Sequence, residues 1–150
     1  MRGVSRPLHH AAVNAHDIDA SVRFYRDGLG LDVLMDHEFD GDWITLFGAR
    51  SPRLHSVFLG DLAHHDAGIV ELVAFDGGMA PVAPPLGEPA EGFFLLSFYV
   101  GDVDEVLGRL ADLGLGGEPS RIALPTPDGA SVAMATVHDP DGVLIELIGR

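Results

Sequence analysis

Two glutamates in similar apolar surroundings are the residues of this sequence that most directly suggest chemistry. Glu71 lies in the segment GIVELVAFD, and Glu146 lies in DPDGVLIELIGR. A carboxylate inside an apolar strand costs free energy unless a partner compensates its charge. A metal cation is one such partner, and His10 in the segment LHHAAVN is of a type that often shares a metal with carboxylates. Alternatively, both glutamates face water at strand edges and bind nothing.

Strand alternation predicts that these side chains point to one side of their sheets. His10, Ala12 and Asn14 share one face of the first strand-like segment. Glu71 and Glu146 occupy the middle of two later strands. If two curved sheets meet side by side, these positions line a shared concavity. One histidine and two carboxylates would then form a three-ligand metal site with positions open for water or substrate.

The elements that must position these residues form an internal repeat. The segments DIDASVRFYRDGLGL, from Asp17, and DVDEVLGRLADLGLG, from Asp102, both begin with Asp-x-Asp and carry apolar residues at helical spacing. A strand-like segment precedes each helix, and each half closes on a similar strand, IVELV or LIELI. Further β-type segments lie between helix and closing strand: LDVLMDHEF, WITLFG and LHSVFLG in the first half, and SVAMATVH in the second.

The repeat predicts an α+β fold of paired βαβββ modules that form a cup-shaped mixed sheet. We expect one domain over residues 1–150, with a first module at 7–75 and a second at 92–150. Residues 76–91, rich in proline and glycine, form the linker. Pairing is expected because a sheet with only one face covered would expose the other apolar face.

Composition excludes several classes of function. Cysteine is absent and all nine basic residues are arginine, which excludes disulfides, thiolate zinc sites and Schiff-base chemistry. A net charge of −14 disfavours nucleic acid as a partner. No segment has the roughly 20 apolar residues of a membrane span. With 47% hydrophobic residues, the sequence predicts a globular cytoplasmic protein that binds neither nucleic acid nor membrane.

The segments LHHAAVNAHDIDASVRFYRDGLGL and VHDPDGVLIEL resemble the vicinal oxygen chelate superfamily. That superfamily groups glyoxalase I, extradiol dioxygenases, methylmalonyl-CoA epimerase, and the fosfomycin and bleomycin resistance proteins. The resemblance implies a metal-ligand histidine seven residues before Asp17, which is His10, with the adjacent His9 facing away. It implies that Glu71 and Glu146 are the acidic ligands, and that the protein is a homodimer.

The sequence departs from the family pattern at the remaining ligand. The corresponding position, seven residues before Asp102, is Leu95. Extradiol dioxygenases that resemble this family depend on a second-module histidine, so Leu95 counts against ring cleavage. A site of His10, Glu71 and Glu146 could still hold zinc, nickel, manganese or ferrous iron, with weak help from Ser97.

Two functions follow from this pattern. The first is a divalent-metal lyase, isomerase or dioxygenase-type enzyme for a small oxygenated metabolite, with Glu71 or Glu146 as the base. The second is a metal-free protein of the bleomycin-resistance kind, which sequesters a drug and confers antibiotic resistance. Either function predicts a small-molecule pocket, and its predicted lining residues are Asn14, Trp43, Leu95, Ser97 and Tyr99.

Overall fold

The computed structural model describes residues 5–84 and 87–150. These residues form eight strands, three α-helices and one π-helical segment. The elements are β1 (His10–Asn14), α1 (Ile18–Val22), a π-helix (Arg23–Gly28), β2 (Asp32–Asp40), α2 (Trp43–Phe47), β3 (Arg53–Gly60), β4 (Ile69–Phe75), β5 (Leu96–Val100), α3 (Val103–Asp112), β6 (Ser120–Pro125), β7 (Ser131–His138) and β8 (Leu144–Gly149). None of the helices in this part of the chain is long and apolar enough to cross a membrane.

The strands form two four-stranded mixed sheets with equivalent topology. Their orders are β1-β4-β3-β2 and β5-β8-β7-β6. In each sheet the first strand pairs parallel with the last one, and the other pairs are antiparallel. The predicted α+β fold of paired βαβββ modules is therefore confirmed.

The chain divides into two compact units. The first contains the chain up to Arg26 together with Gly30–Pro81, and the second contains Asp27–Leu29 and Val82–Arg150. Thus β1 to β4 belong to the first unit and β5 to β8 to the second. The module bounds 7–75 and 92–150 stay a prediction.

The Asp-x-Asp pairs begin the helices because their first aspartates are N-caps. The Asp17 carboxylate accepts hydrogen bonds from the backbone N–H groups of Asp19 and Ala20, both at 3.1 Å. Asp102 accepts one from the N–H of Glu105, also at 3.1 Å. Each carboxylate thereby satisfies N–H groups that have no partner inside the helix.

Two segments differ from the prediction. WITLFG was expected to be a strand, but Trp43–Phe47 is helix α2. Asp42 caps it by accepting from the N–H of Thr45 at 3.2 Å, and Gly48 ends it at φ 69°. These flanking residues outweigh the weak β preference of the segment between them. Strand β6 was not identified, because all of its residues are exposed and no apolar alternation marks it.

Alternation along β4 separates a buried face from a second face that carries Glu71. Val70 and Leu72 are buried, as are Val57 and Leu59 on the neighbouring β3. Leu72 and Leu59 are 0% exposed. The opposite face of β4 carries Glu71 and Val73, and the candidate site lies there.

We expect Leu72→Ala to lower the free energy of unfolding by about 2–5 kcal/mol, through lost burial and the cavity left behind. Urea unfolding of the purified protein measures it. The matched control is Leu62→Ala, because Leu62 is 59% exposed and its truncation should change stability by less than about 0.5 kcal/mol. A similar, small change for both variants would show that Leu72 does not belong to a tightly packed core.

Candidate functional site

A cavity of about 940 Å³ opens on the first unit. Its floor is one face of the sheet, and α2 and the segment after β4 form walls. The polar side chains that line it include His10, Asn14, Ser56 and Glu71. Its aromatic lining is Phe39, Trp43, Phe47, Phe58 and Phe75. Few polar groups within a mostly apolar lining are typical of small-molecule sites.

Helix α2 supplies the flat part of the wall. The rings of Trp43 and Phe47 stack with centroids 5.7 Å apart and an interplanar angle of 10°. Trp43 Nε1 donates a hydrogen bond to the backbone oxygen of Phe39 at 3.3 Å. At the start of the helix, hydrogen bonds from Thr45 lower the pKa of Asp42, so the capping carboxylate stays ionised. Trp43 is thereby held at the cavity.

His10 and Glu71 meet in this cavity. In the parallel pairing of β1 with β4, Ala12 lies opposite Glu71. His10 lies two residues before Ala12 and therefore on the same face of the sheet as Glu71. His10 Nε2 lies 3.5 Å from Glu71 Oε1. Ser56 Oγ donates a hydrogen bond of 2.6 Å to the other oxygen, Oε2, and Ser56 is only 1% exposed. The Glu71 carboxylate is therefore oriented by a buried hydroxyl, while Oε1 faces the histidine.

His9 does not line the cavity, but its ring contacts that of His10. β1 begins only at His10, so strand alternation does not constrain His9. Its Nδ1 lies 2.8 Å from His10 Nδ1, and its Nε2 lies 3.1 Å from the backbone oxygen of His65. Because a carbonyl oxygen can only accept, His9 Nε2 must be the donor in the second hydrogen bond.

This hydrogen-bond network assigns the tautomers of both rings. In neutral His9, a proton on Nε2 leaves Nδ1 as an acceptor, so His10 Nδ1 must donate to it. Neutral His10 then carries its lone pair on Nε2, which faces Glu71 Oε1 at 3.5 Å. Two electron-pair donors that face each other repel, and either a proton on His10 Nε2 or a metal cation between the two atoms would relieve this repulsion. The pair thus has the chemistry of two ligands for a divalent metal.

The remaining predicted residues belong to the second unit. Ser97 and Glu146 are paired across β5 and β8, and Ser97 Oγ donates to Glu146 Oε1 at 2.8 Å. Tyr99 is 66% exposed, and the Arg150 guanidinium lies 4.9 Å from its ring centroid. Leu95 is half-buried and directly precedes β5. No His, Asp or Glu occupies the Leu95 position, so within this unit Glu146 is not paired with a histidine in the way Glu71 is.

Across residues 5–84 and 87–150, no three His, Asp or Glu side chains come close enough together to hold a metal ion. His10 and Glu71 could therefore supply two of the ligands of a metal ion.

Ser56 and His9, which orient these two side chains, were missed by the sequence reasoning. A signal for Ser56 existed, since it has the strand parity of Phe58 and Leu54 in β3. No local pattern could identify His9, because its hydrogen bond reaches the distant loop at His65.

We expect His9→Phe to change the tautomer of His10 without unfolding the protein, because the acceptor for His10 Nδ1–H is lost. Long-range ¹H–¹⁵N NMR in the presence of chelator measures the tautomer, and a spectrum of His10→Ala identifies the signals. His9→Asn is the matched control, since its Oδ1 can still accept from His10 Nδ1. An unchanged His10 tautomer in His9→Phe would exclude His9 as the positioning residue.

Comparison with known proteins agrees with this fold. The model of the Glyoxalase/Bleomycin resistance protein/Dioxygenase superfamily matches residues 7–147. The lactoylglutathione lyase-like protein terB of Aspergillus terreus is 37% identical over 147 residues, which cover 95% of this chain and 75% of that protein. A probable lactoylglutathione lyase of Synechocystis is 28% identical over 141 residues, covering 94% and 93% of the two chains.

Solved structures show the same similarity. The trypanothione-dependent glyoxalase I of Leishmania major has a TM-score of 0.62 and 25% identity, with 97% of this chain and 87% of that chain covered. A glyoxalase family protein from Bacillus cereus has a TM-score of 0.69 at 18% identity, with 99% and 95% covered, and this likeness concerns the fold alone.

Proposed function

This chain belongs to the Glyoxalase/Bleomycin resistance protein/Dioxygenase superfamily, and on that basis we propose that it is a divalent-metal-dependent lyase or isomerase for a small oxygenated metabolite. The observation that carries the proposal is the pairing of a nitrogen and an oxygen donor, His10 Nε2 and Glu71 Oε1, 3.5 Å apart in a cavity of substrate size. One relative named a lactoylglutathione lyase-like protein and another named a probable lactoylglutathione lyase support a lyase-type reaction.

His10 and Glu71 would supply two ligands to the metal, and Glu146 is the third ligand that the family resemblance predicts. A bound divalent cation would polarise vicinal oxygens of the substrate as a Lewis acid. Zinc, nickel, manganese and ferrous iron all accept this set of nitrogen and oxygen donors.

Glu71 has a second role in this proposal, because its carboxylate would leave the metal to serve as the base. Its side chain is 18% exposed, and Ser56 fixes Oε2, so Oε1 is directed into the cavity. From there it can take a proton from a carbon next to a carbonyl and return it to the neighbouring carbon or release it.

Two measurements test the proposal. The first is elemental analysis of untagged protein purified without chelator, and the second is turnover of a panel of 2-oxo aldehydes and thioesters that includes lactoylglutathione. The expected result is near one divalent metal per chain and turnover that chelator removes. Less than about a tenth of an equivalent after soaking in all four metals would refute the proposal, because a site with open ligands should fill under those conditions. Light scattering in the same preparation tests the predicted homodimer.

The aromatic cavity also favours a second candidate function, metal-free sequestration of a drug-like molecule. A volume of about 940 Å³ lies within the range of small-molecule sites. Leu95 at the missing ligand position and the net charge of −14 suit a cationic natural product such as bleomycin. Saturable quenching of Trp43 fluorescence by such a compound, with no metal and no turnover, would support this function over the first.

A further inference from the structure

One cationic side chain, that of Arg50, lines the cavity without an acidic partner among the residues that the structure describes. Arg50, which follows α2, lines the cavity, and in the described part of the chain no carboxylate forms an ion pair with it. By contrast, Arg53, Arg109 and Arg121 all pair with carboxylates. With 23 acidic residues and nine arginines in the chain, carboxylates for pairing are plentiful. The Arg50 guanidinium is therefore available to a ligand.

Arg50 lies at a defined place on the cavity wall. It packs beside the turn after β4, where Gly77 and Gly78 adopt φ of 81° and 80°. A β-carbon built on Gly77 would lie 3.4 Å from Arg50 Cβ, and one on Gly78 would lie 3.6 Å from Arg50 Nη1. The stem and the guanidinium thus follow this glycine turn, which carries no side chains that could cover them.

The glycine turn is distant from Glu71 along the sheet. From Glu71 to Phe75, the end of β4, the strand advances by about 13 Å at roughly 3.3 Å per residue, and the turn lies beyond that point. Arg50 and the His10–Glu71 pair therefore lie towards opposite ends of the cavity. Between them lies the aromatic wall, with Phe47 stacked on Trp43 and 6.1 Å from the Phe75 ring.

We infer that the cavity binds an elongated monocarboxylate: Arg50 binds the carboxylate and the aromatic wall packs on a flat apolar middle. The opposite, oxygenated end then lies at His10 and Glu71, and this last part rests on the proposed function. The planar guanidinium matches a carboxylate with two parallel hydrogen bonds. A single arginine neutralises one negative charge, so in a protein of net charge −14 a monoanion is favoured over a phosphate dianion.

Trp43 is the only tryptophan of the chain and it lines the cavity, so its fluorescence reports ligand binding there. The probes are 3-phenylpropanoate and 3-phenylpropanamide, which share a shape and differ in charge. Both are titrated into the full-length protein in chelator, so that the result does not depend on a metal. We expect the carboxylate to bind at least about tenfold tighter than the amide, because a charge-assisted hydrogen-bonded pair with Arg50 stabilises only the carboxylate complex.

Arg50→Gln should reduce this preference to about one, because the neutral side chain no longer distinguishes the two probes. Arg6→Gln is the matched control, since Arg6 is exposed and does not line the cavity, and it should keep the full preference. Equal affinity of the two probes for the wild-type protein would overturn the inference without any variant. So would a preference that persists in Arg50→Gln, or the absence of binding by either probe up to about 10 mM.

This result is separable from the test of the proposed function. If the protein prefers the carboxylate probe but binds no metal and turns over no substrate, the carboxylate site stands and the proposed enzymatic function is refuted. If the protein binds metal and turns over substrate but binds both probes equally, the proposed function stands and the carboxylate site is refuted.

Discussion

We expect that replacing His10 by alanine removes the divalent metal that we propose this protein binds. The wild-type chain should carry near one equivalent, and the variant less than about a tenth, because loss of the nitrogen donor beside Glu71 leaves one carboxylate with little affinity of its own. The His10 side chain is 37% exposed, so its truncation should cost little stability. Elemental analysis of both proteins, purified in parallel without chelator, gives the stoichiometry, and titration with zinc or nickel gives the ratio of affinities.

His64→Ala is the matched control for this experiment. His64 is also a histidine of the first unit, and its side chain is 75% exposed and paired with Asp61 in a loop. It does not line the cavity, so its removal should leave the metal content unchanged. Equal metal content in wild type and His10→Ala would exclude His10 as a ligand. Glu146→Gln in the same series tests the third predicted ligand: an unchanged metal content and affinity would remove Glu146 from the set.

Glu71→Gln should lower the turnover of the metal-loaded protein by about 10²–10⁴-fold, the usual effect of removing a general base. Glutamine keeps the size of the side chain, and its amide oxygen can still accept from Ser56 Oγ, so the fold and cavity are preserved. The measurement is kcat and KM on the substrate that the panel identifies, with circular dichroism and metal content on the same samples.

Metal content separates the two roles proposed for Glu71. Turnover lost while metal is kept identifies the base, whereas loss of both identifies a ligand. Glu118→Gln is the control, because Glu118 is an exposed glutamate between α3 and β6, and its turnover should equal that of the wild type. A Glu71→Gln variant that retains more than about a tenth of wild-type turnover would contradict a role as base.

Local rules were sufficient for much of this molecule. The repeat of Asp-x-Asp segments and closing strands predicted two equivalent modules, because capping and periodicity depend on residues close in sequence. They failed at α2, where Asp42 and Gly48 define a helix across a segment with β-type composition. They failed again at β6, an exposed strand whose pairing with β7 leaves no apolar pattern to read.

For the candidate site, the sequence by itself determined that His10 and Asn14 share one face of β1, because side chains alternate along a strand. The pairing of Ala12 with Glu71, which places Glu71 on that face, came from the structure. The sequence also determined that the Leu95 position has no metal donor. Only the tertiary structure decided that Ser56 orients Glu71, that His9 contacts the ring of His10, and that Arg50 lines the cavity with no carboxylate partner among residues 5–84 and 87–150. These features depend on contacts between distant segments, such as the hydrogen bond from His9 to the backbone of His65, and their geometry exists only once the sheet and its loops are assembled.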